Sequence, residues 1–150
     1  MKKKLVLAVG NSMMGDDAAG PLLAQLIGRG PLAQWDVLDG GSAPENLLYL
    51  VREMAPVQVL VIDAADMDLE PGEVRLVGAA RLEDPFLMTT HTLPLSYLVQ
   101  SLEEFVPKVE LLGIQPHTVA FGYPLSPEVK QAVSQVYEGL KQENPAWTRL

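Results

Sequence analysis

Two segments constrain the fold more than anything else in the chain. Residues 5–9 and 57–62 are nearly continuous apolar runs, each bounded by polar or turn-forming residues. A strand with one wet face alternates apolar and polar residues, whereas a strand that is apolar along its length is covered on both faces, as in a parallel sheet held between helices. Residues 35–38, 74–77 and 109–114 read as further strands. Between them run helical stripes. Leu22, Leu23, Leu26 and Ile27 form one face, with Pro21 acceptable in a first turn. Leu47, Leu50, Val51 and Met54 form a second, introduced by the capping-box spacing Ser42-Ala43-Pro44-Glu45, and Leu95, Leu98, Val99 and Leu102 form a third. Val129, Ala132, Val133, Val136, Tyr137 and Leu140 form the clearest stripe, after Ser126-Pro127 as expected cap and first helical residue. The order β-α-β-α-β-β-α-β-α predicts an α/β fold: a three-layer α/β/α arrangement with a twisted, mostly parallel five-stranded sheet between helices, spanning residues 1–150 as one domain. The tail from Asn144 to Leu150 is short enough to fray unless Trp147 pins it.

Composition narrows the chemistry. The 150 residues include no cysteine and two histidines, so there is no disulfide framework, no thiol nucleophile and no thiolate metal site. Catalysis must rest on carboxylates, hydroxyls, amides and imidazoles. A net charge of -8 argues against a nucleic-acid or anionic-membrane surface. Met1-Lys2-Lys3-Lys4 followed by a five-residue apolar run superficially suggests a secretory signal, but the run is short and polar Asn11, Ser12, Asp16 and Asp17 follow without a cleavage site. No run approaches the roughly 18–20 apolar residues that span a bilayer. The expectation is a soluble, cytoplasmic protein without membrane insertion.

In a parallel sheet the loops at the carboxyl ends of the strands supply the site. Here they are acidic: Gly10-Asn11-Ser12-Met13-Met14-Gly15-Asp16-Asp17 after the first strand, Asp39-Gly40-Gly41 after the second, Asp63-Ala64-Ala65-Asp66 after the third. Thr89-Thr90-His91-Thr92 precedes the third helix, and Gln115-Pro116-His117 follows the last strand. The spacing of Gly10 and Gly15 suits a phosphate loop, but Asp16 and Asp17 stand where Lys and Ser or Thr belong and would repel a polyphosphate. The dinucleotide pattern fails for want of its middle glycine. Carboxylates there suit a metal, and Asp17 or Asp16, Asp63 and His91 would bring oxygen and imidazole ligands to one sheet edge. Each has an ordinary reading too: Asp17 as a helix cap, Asp63 as a turn residue, His91 as a hydrogen-bonded loop histidine. The familiar protease arrangements, a Gly-x-Ser-x-Gly elbow, a His-Glu-x-x-His helix or a pair of Asp-Thr-Gly motifs, are absent. Met13-Met14 divides evenly between recognition surface and core filler. Gly40-Gly41 lets the backbone turn sharply or lie against an extended peptide. The residues by themselves lead to a metal-binding α/β domain.

The first loop, Asp39-Gly40-Gly41-Ser42-Ala43-Pro44-Glu45-Asn46, Val61-Ile62-Asp63-Ala64, Thr89-Thr90-His91 with Pro94-Leu95, and Gly113-Ile114-Gln115-Pro116 together resemble the nickel-iron hydrogenase maturation endopeptidases. The resemblance runs over residues 5–140, with the motifs in order. It implies an endopeptidase that removes a C-terminal extension from the precursor of a nickel-iron hydrogenase large subunit after nickel insertion. Matched residue by residue, it implies that Asp17, Asp63 and His91 contact the metal and carry catalysis, while His117 falls on no such position. The nickel would arrive on the substrate, with Asp39 and the Gly40-Gly41 loop as the expected contacts to its peptide, and zinc or cadmium would be able to occupy the site in vitro. Ala18 stands where many relatives have glycine, so a positive φ is not expected there. Two other classes stay open: a receiver-like signalling domain, which should show its acidic pair directly at a strand end and a lysine after the fifth strand, and a metal-binding protein without catalysis.

Overall fold

The computed structural model describes residues 4–78, 82 and 95–150. Five strands, β1 (Lys4–Ala8), β2 (Trp35–Asp39), β3 (Gln58–Ala64), β4 (Val74–Val77) and β5 (Lys108–Ile114), form one sheet in the order β2-β1-β3-β5-β4. All neighbours are parallel except β4, which runs antiparallel to β5. The helices are α1 (Ala19–Arg29), α2 (Leu48–Met54), α3 (Leu95–Glu103) and α4 (Pro127–Leu140), with short 3-10 turns over Gly15–Ala18 and Pro44–Leu47. This is the predicted architecture.

Side-chain parity divides the core into two layers. Leu5, Leu7, Val59, Val61, Val109 and Leu111 face one side and pack with Val51, Leu98, Val99 and Leu102 from α2 and α3. Val6, Leu60, Ile62, Leu112 and Ile114 face the other, against Leu23 and Ile27 of α1 and Val129, Val133 and Val136 of α4. Alternate residues of β1 and β3 thus meet different helices, which explains why the two segments carry no polar alternation.

The close fit of α1 on β1 depends on one glycine. A Cβ at Gly20 would run into the carbonyl oxygen of Val9, whereas one at Gly28, in the same helix, meets nothing within 4 Å. Gly20→Ala should therefore destabilise the protein by about 1–3 kcal/mol, because backbone must shift. Gly28→Ala should be neutral or stabilising by roughly 0.5–1 kcal/mol, from helix propensity alone. Urea unfolding of the two variants checks the opposite signs.

Three local expectations change. No capping box forms at Ser42-Glu45: Ala43 stands at the N-cap of the 3-10 turn without a side-chain cap. The chain arrives there through Gly41 at φ +57°, whose N–H is taken by Asp39 Oδ1 at 3.0 Å, and Pro44 occupies the first turn. β3 runs two residues beyond its predicted end, so Asp63 lies inside the strand rather than in a turn. Ser126 does precede Pro127 at the start of α4, but its side chain makes no cap hydrogen bond. The C-terminal tail is pinned. Trp147 packs against Gly139, Leu76 N–H donates to Thr148 O at 2.7 Å and Leu150 N–H to Leu76 O at 3.0 Å, covering the open edge of β4.

Candidate active site

β1 has β2 on one side and β3 on the other, so the chain leaves β1 in one direction and later returns to its opposite flank. That reversal opens a crevice at the carboxyl ends of β1 and β3, where ligands bind in sheets of this kind. The loop after β1 and the end of β3 meet there: Val9 N–H donates to Ile62 O at 2.9 Å, and the 3-10 turn Gly15–Ala18 packs against β3.

The loop folds back on itself. Gly10 has φ +146°, and a Cβ on it would collide with the carbonyl oxygen of Asp17, so only glycine admits the closure. Asn11 N–H then donates to Asp17 Oδ2 at 2.8 Å. Asp17 is 2% exposed, and Asp63, on the β3 face continued from Val59 and Val61, is 0% exposed. Neither ordinary reading survives: α1 starts from Ala18 without a side-chain cap, at φ −78° as expected, and Asp63 is a strand residue. Two buried carboxylates at a switch point need a cation, a proton or strong donors to offset desolvation. Among the described residues no three His, Asp or Glu side chains gather closely enough to hold a metal ion. His91, the third residue of the expected set, lies outside the described residues.

Asp16 has a different occupation from its neighbour. It is 0% exposed, and its carboxylate accepts the N–H groups of His117 (2.8 Å), Thr118 (2.9 Å) and Ser126 (2.7 Å), together with the Ser126 hydroxyl at 2.9 and 3.0 Å. Burial pushes its pKa up, but the donors from Ser126, Thr118 and His117 outweigh it and hold the group below the ordinary carboxylate value. Asp16 thus clasps the segment between β5 and α4 to the first loop. This is why Ser126 does not cap α4. His117 contributes its backbone to the clasp, while its ring is exposed with Nδ1 2.8 Å from Thr118 Oγ1, in keeping with a surface histidine.

Gln115 is a second positioning residue that composition did not single out. It is buried at the end of β5, accepts Met67 N–H at 2.7 Å and Leu69 N–H at 3.3 Å, and donates to Asp66 Oδ1 at 3.1 Å. It fixes the loop that follows Asp63.

Asp39 ends β2 and is exposed; Gly40 N–H donates to Ala8 O at 2.7 Å, and Gly41 O accepts Gly10 N–H at 2.9 Å. These two glycines are clipped to the end of β1, beside the acidic loop. Next to them a groove of about 500 Å³ runs between the first loop and α1, bordered by Ser12, Pro21, Leu22, Gln25, Asp39 and Leu125. None of the helices among the described residues is long and apolar enough to cross a membrane.

Comparison with known proteins agrees with this geometry. The sequence model of the hydrogenase maturation protease family matches residues 22–143. The chain is 49% identical over 137 residues to the hydrogenase 3 maturation protease of Escherichia coli K12, covering 91% of this chain and 88% of that protein. Its fold superposes on a crystal structure of a hydrogenase 3 maturation protease with TM-score 0.91 and 46% identity, covering 99% of this chain and 97% of the other. The solution structure of the endopeptidase HycI from Escherichia coli is similar with TM-score 0.92 and 46% identity, over 100% of this chain and 97% of that one.

Proposed function

The chain belongs to the hydrogenase maturation protease family, and from that premise we propose that it removes a C-terminal extension from a nickel-loaded hydrogenase large-subunit precursor, reading the metal with Asp17, Asp63 and His91. It is a peptidase by family. The observation that carries the finer reading is the burial of Asp17 and Asp63 at the crevice between β1 and β3. Nickel belongs to the substrate, held by the precursor's own thiolates. An oxygen-rich set completed by one imidazole binds such an ion more weakly than thiolates do, and this chain has no cysteine with which to compete for it. The protease can therefore inspect the metal without extracting it. Zinc or cadmium would fit the same donors in vitro.

Hydrolysis adds water across the scissile amide: the water oxygen attacks the carbonyl carbon, and a carboxylate takes its proton and passes it to the departing nitrogen. A buried carboxylate beside the bond suits that role. Asp39, Gly40 and Gly41 are the proposed peptide contacts, supported by the groove that Asp39 borders. The expected compartment is the cytoplasm, where the precursor's thiolates stay reduced. The receiver-like reading falls, because the family is a protease family and Gln115-Pro116, not lysine, follows β5.

The test is to mix the purified protein with nickel-loaded and nickel-free precursor and to weigh the products by intact mass. The expected result is loss of a C-terminal peptide from the loaded form alone. Equal cleavage of both forms would remove nickel gating and leave the protease; no cleavage of either would overturn the proposal.

A further inference from the structure

Among the described residues six large apolar side chains stand exposed, and three of them come from two loops that touch: Met13 (58%), Phe121 (71%) and Tyr123 (60%). Scattered exposed hydrophobics are ordinary, whereas a cluster beside a functional edge marks a contact surface. These three are held together by backbone. Gly122 N–H donates to Met13 O at 2.9 Å, and Tyr123 N–H closes a turn on Ala120 O at 3.2 Å. Met13 is itself fixed, its N–H donating to Asn11 Oδ1 at 2.9 Å. Both loops are then locked by the Asp16 clasp, which reaches His117, Thr118 and Ser126 on either side of the Phe121-Gly122-Tyr123 turn. An exposed apolar surface mounted on a rigid frame loses little conformational entropy when something covers it.

We infer that Met13, Phe121 and Tyr123 form an apolar docking rim for the folded body of the hydrogenase precursor, separate from the residues that cut it. The inference rests on the maturation-protease reading. The occupant follows from continuity along the chain: Met13 lies in the loop that carries Asp17, and the groove that Asp39 borders is also lined by Ser12, next to Met13, and by Leu125, just after Tyr123. A protein whose peptide bond reaches Asp17 lies over that loop, and aromatic side chains are what such a partner buries with most effect. The other exposed aromatics, Tyr49 on α2 and Tyr97 on α3, belong to different elements.

The experiment measures steady-state processing of the nickel-loaded precursor by wild type, the double variant Phe121→Ser with Tyr123→Ser, Met13→Ser, the conservative pair Phe121→Leu with Tyr123→Phe, and Tyr49→Ser. The rim predicts that the double serine variant raises KM by about tenfold or more with kcat within about twofold and an unchanged melting temperature. Met13→Ser should raise KM less, the conservative pair should keep wild-type KM, and Tyr49→Ser should leave both parameters unchanged. An unchanged KM in the double serine variant overturns the rim while the wild-type arm leaves the protease reading standing. A loss of kcat with a lowered melting temperature also overturns it, since that marks a structural role. A wild type that neither binds nor cuts the precursor overturns both.

Discussion

Asp63→Asn should give a folded protein whose processing of the nickel-loaded precursor falls by about 10²–10⁴-fold. The side chain is fully buried in β3 between Ile62 and Ala64, themselves buried, and it lies in register with Gly113 of β5. Asparagine has the same shape, so packing is preserved while the negative charge is lost. Because the shape is kept, the variant should stay folded and melt close to the wild-type temperature. Activity then falls without a matching loss of stability, as expected of a residue retained for chemistry rather than packing. Asp17→Asn should behave similarly, since an amide oxygen can still accept the Asn11 N–H that now reaches Asp17 Oδ2 at 2.8 Å. His91→Ala should also abolish processing. Intact-mass kinetics under single-turnover conditions, beside thermal melting, separate these outcomes. Processing within about threefold of wild type by Asp63→Asn would remove Asp63 from the reacting set.

The fold was legible because its two central strands are apolar on both faces, and the stripe from Val129 to Leu140 leaves no doubt about α4. Legibility failed where a polar residue does something other than its local habit. Asp63 reads as a strand end because carboxylates are rare inside strands; its burial reflects the crevice between β1 and β3, not anything adjacent to it in sequence. Ser42 and Glu45 have capping-box spacing, but the glycine turn and Pro44 commit the backbone to a 3-10 entry first. Asp16 and Asp17 are the sharpest case. They are identical neighbours, yet the Asp16 carboxylate accepts from donors 101–110 residues away and the Asp17 carboxylate accepts from one 6 residues away. Local patterning contains no such signal; the motif resemblance selected Asp17 without giving Asp16 a role. Phe121 and Tyr123 were invisible for a related reason: a loop has no periodicity against which an outward-facing aromatic stands out.

Asp16→Ala should cost about 2–4 kcal/mol of stability, since it strips the acceptor from three backbone N–H groups and a hydroxyl that bond to a carboxylate. At 150 residues that is a fall in melting temperature of roughly 5–15 °C. The pH dependence has a definite sign. The folded-state pKa of Asp16 is depressed, so its contribution is fully present above the unfolded value of about 3.9 and disappears as pH falls through the lower folded value. The stability gap between wild type and Asp16→Ala should therefore be constant near neutrality and narrow only in strong acid. A double-mutant cycle identifies the mechanism. Ser126→Ala should cost about 1–1.5 kcal/mol in the wild-type background and close to nothing once Asp16 is alanine, because the hydroxyl donates to Asp16 and not to the first turn of α4. Equal costs in both backgrounds would restore Ser126 to a helix-capping role and leave Asp16 holding the loops by its backbone donors alone. Coupling instead means that one buried carboxylate keeps the acidic loop and the Phe121–Tyr123 turn in a fixed relation, so the protease meets its substrate with that surface already assembled.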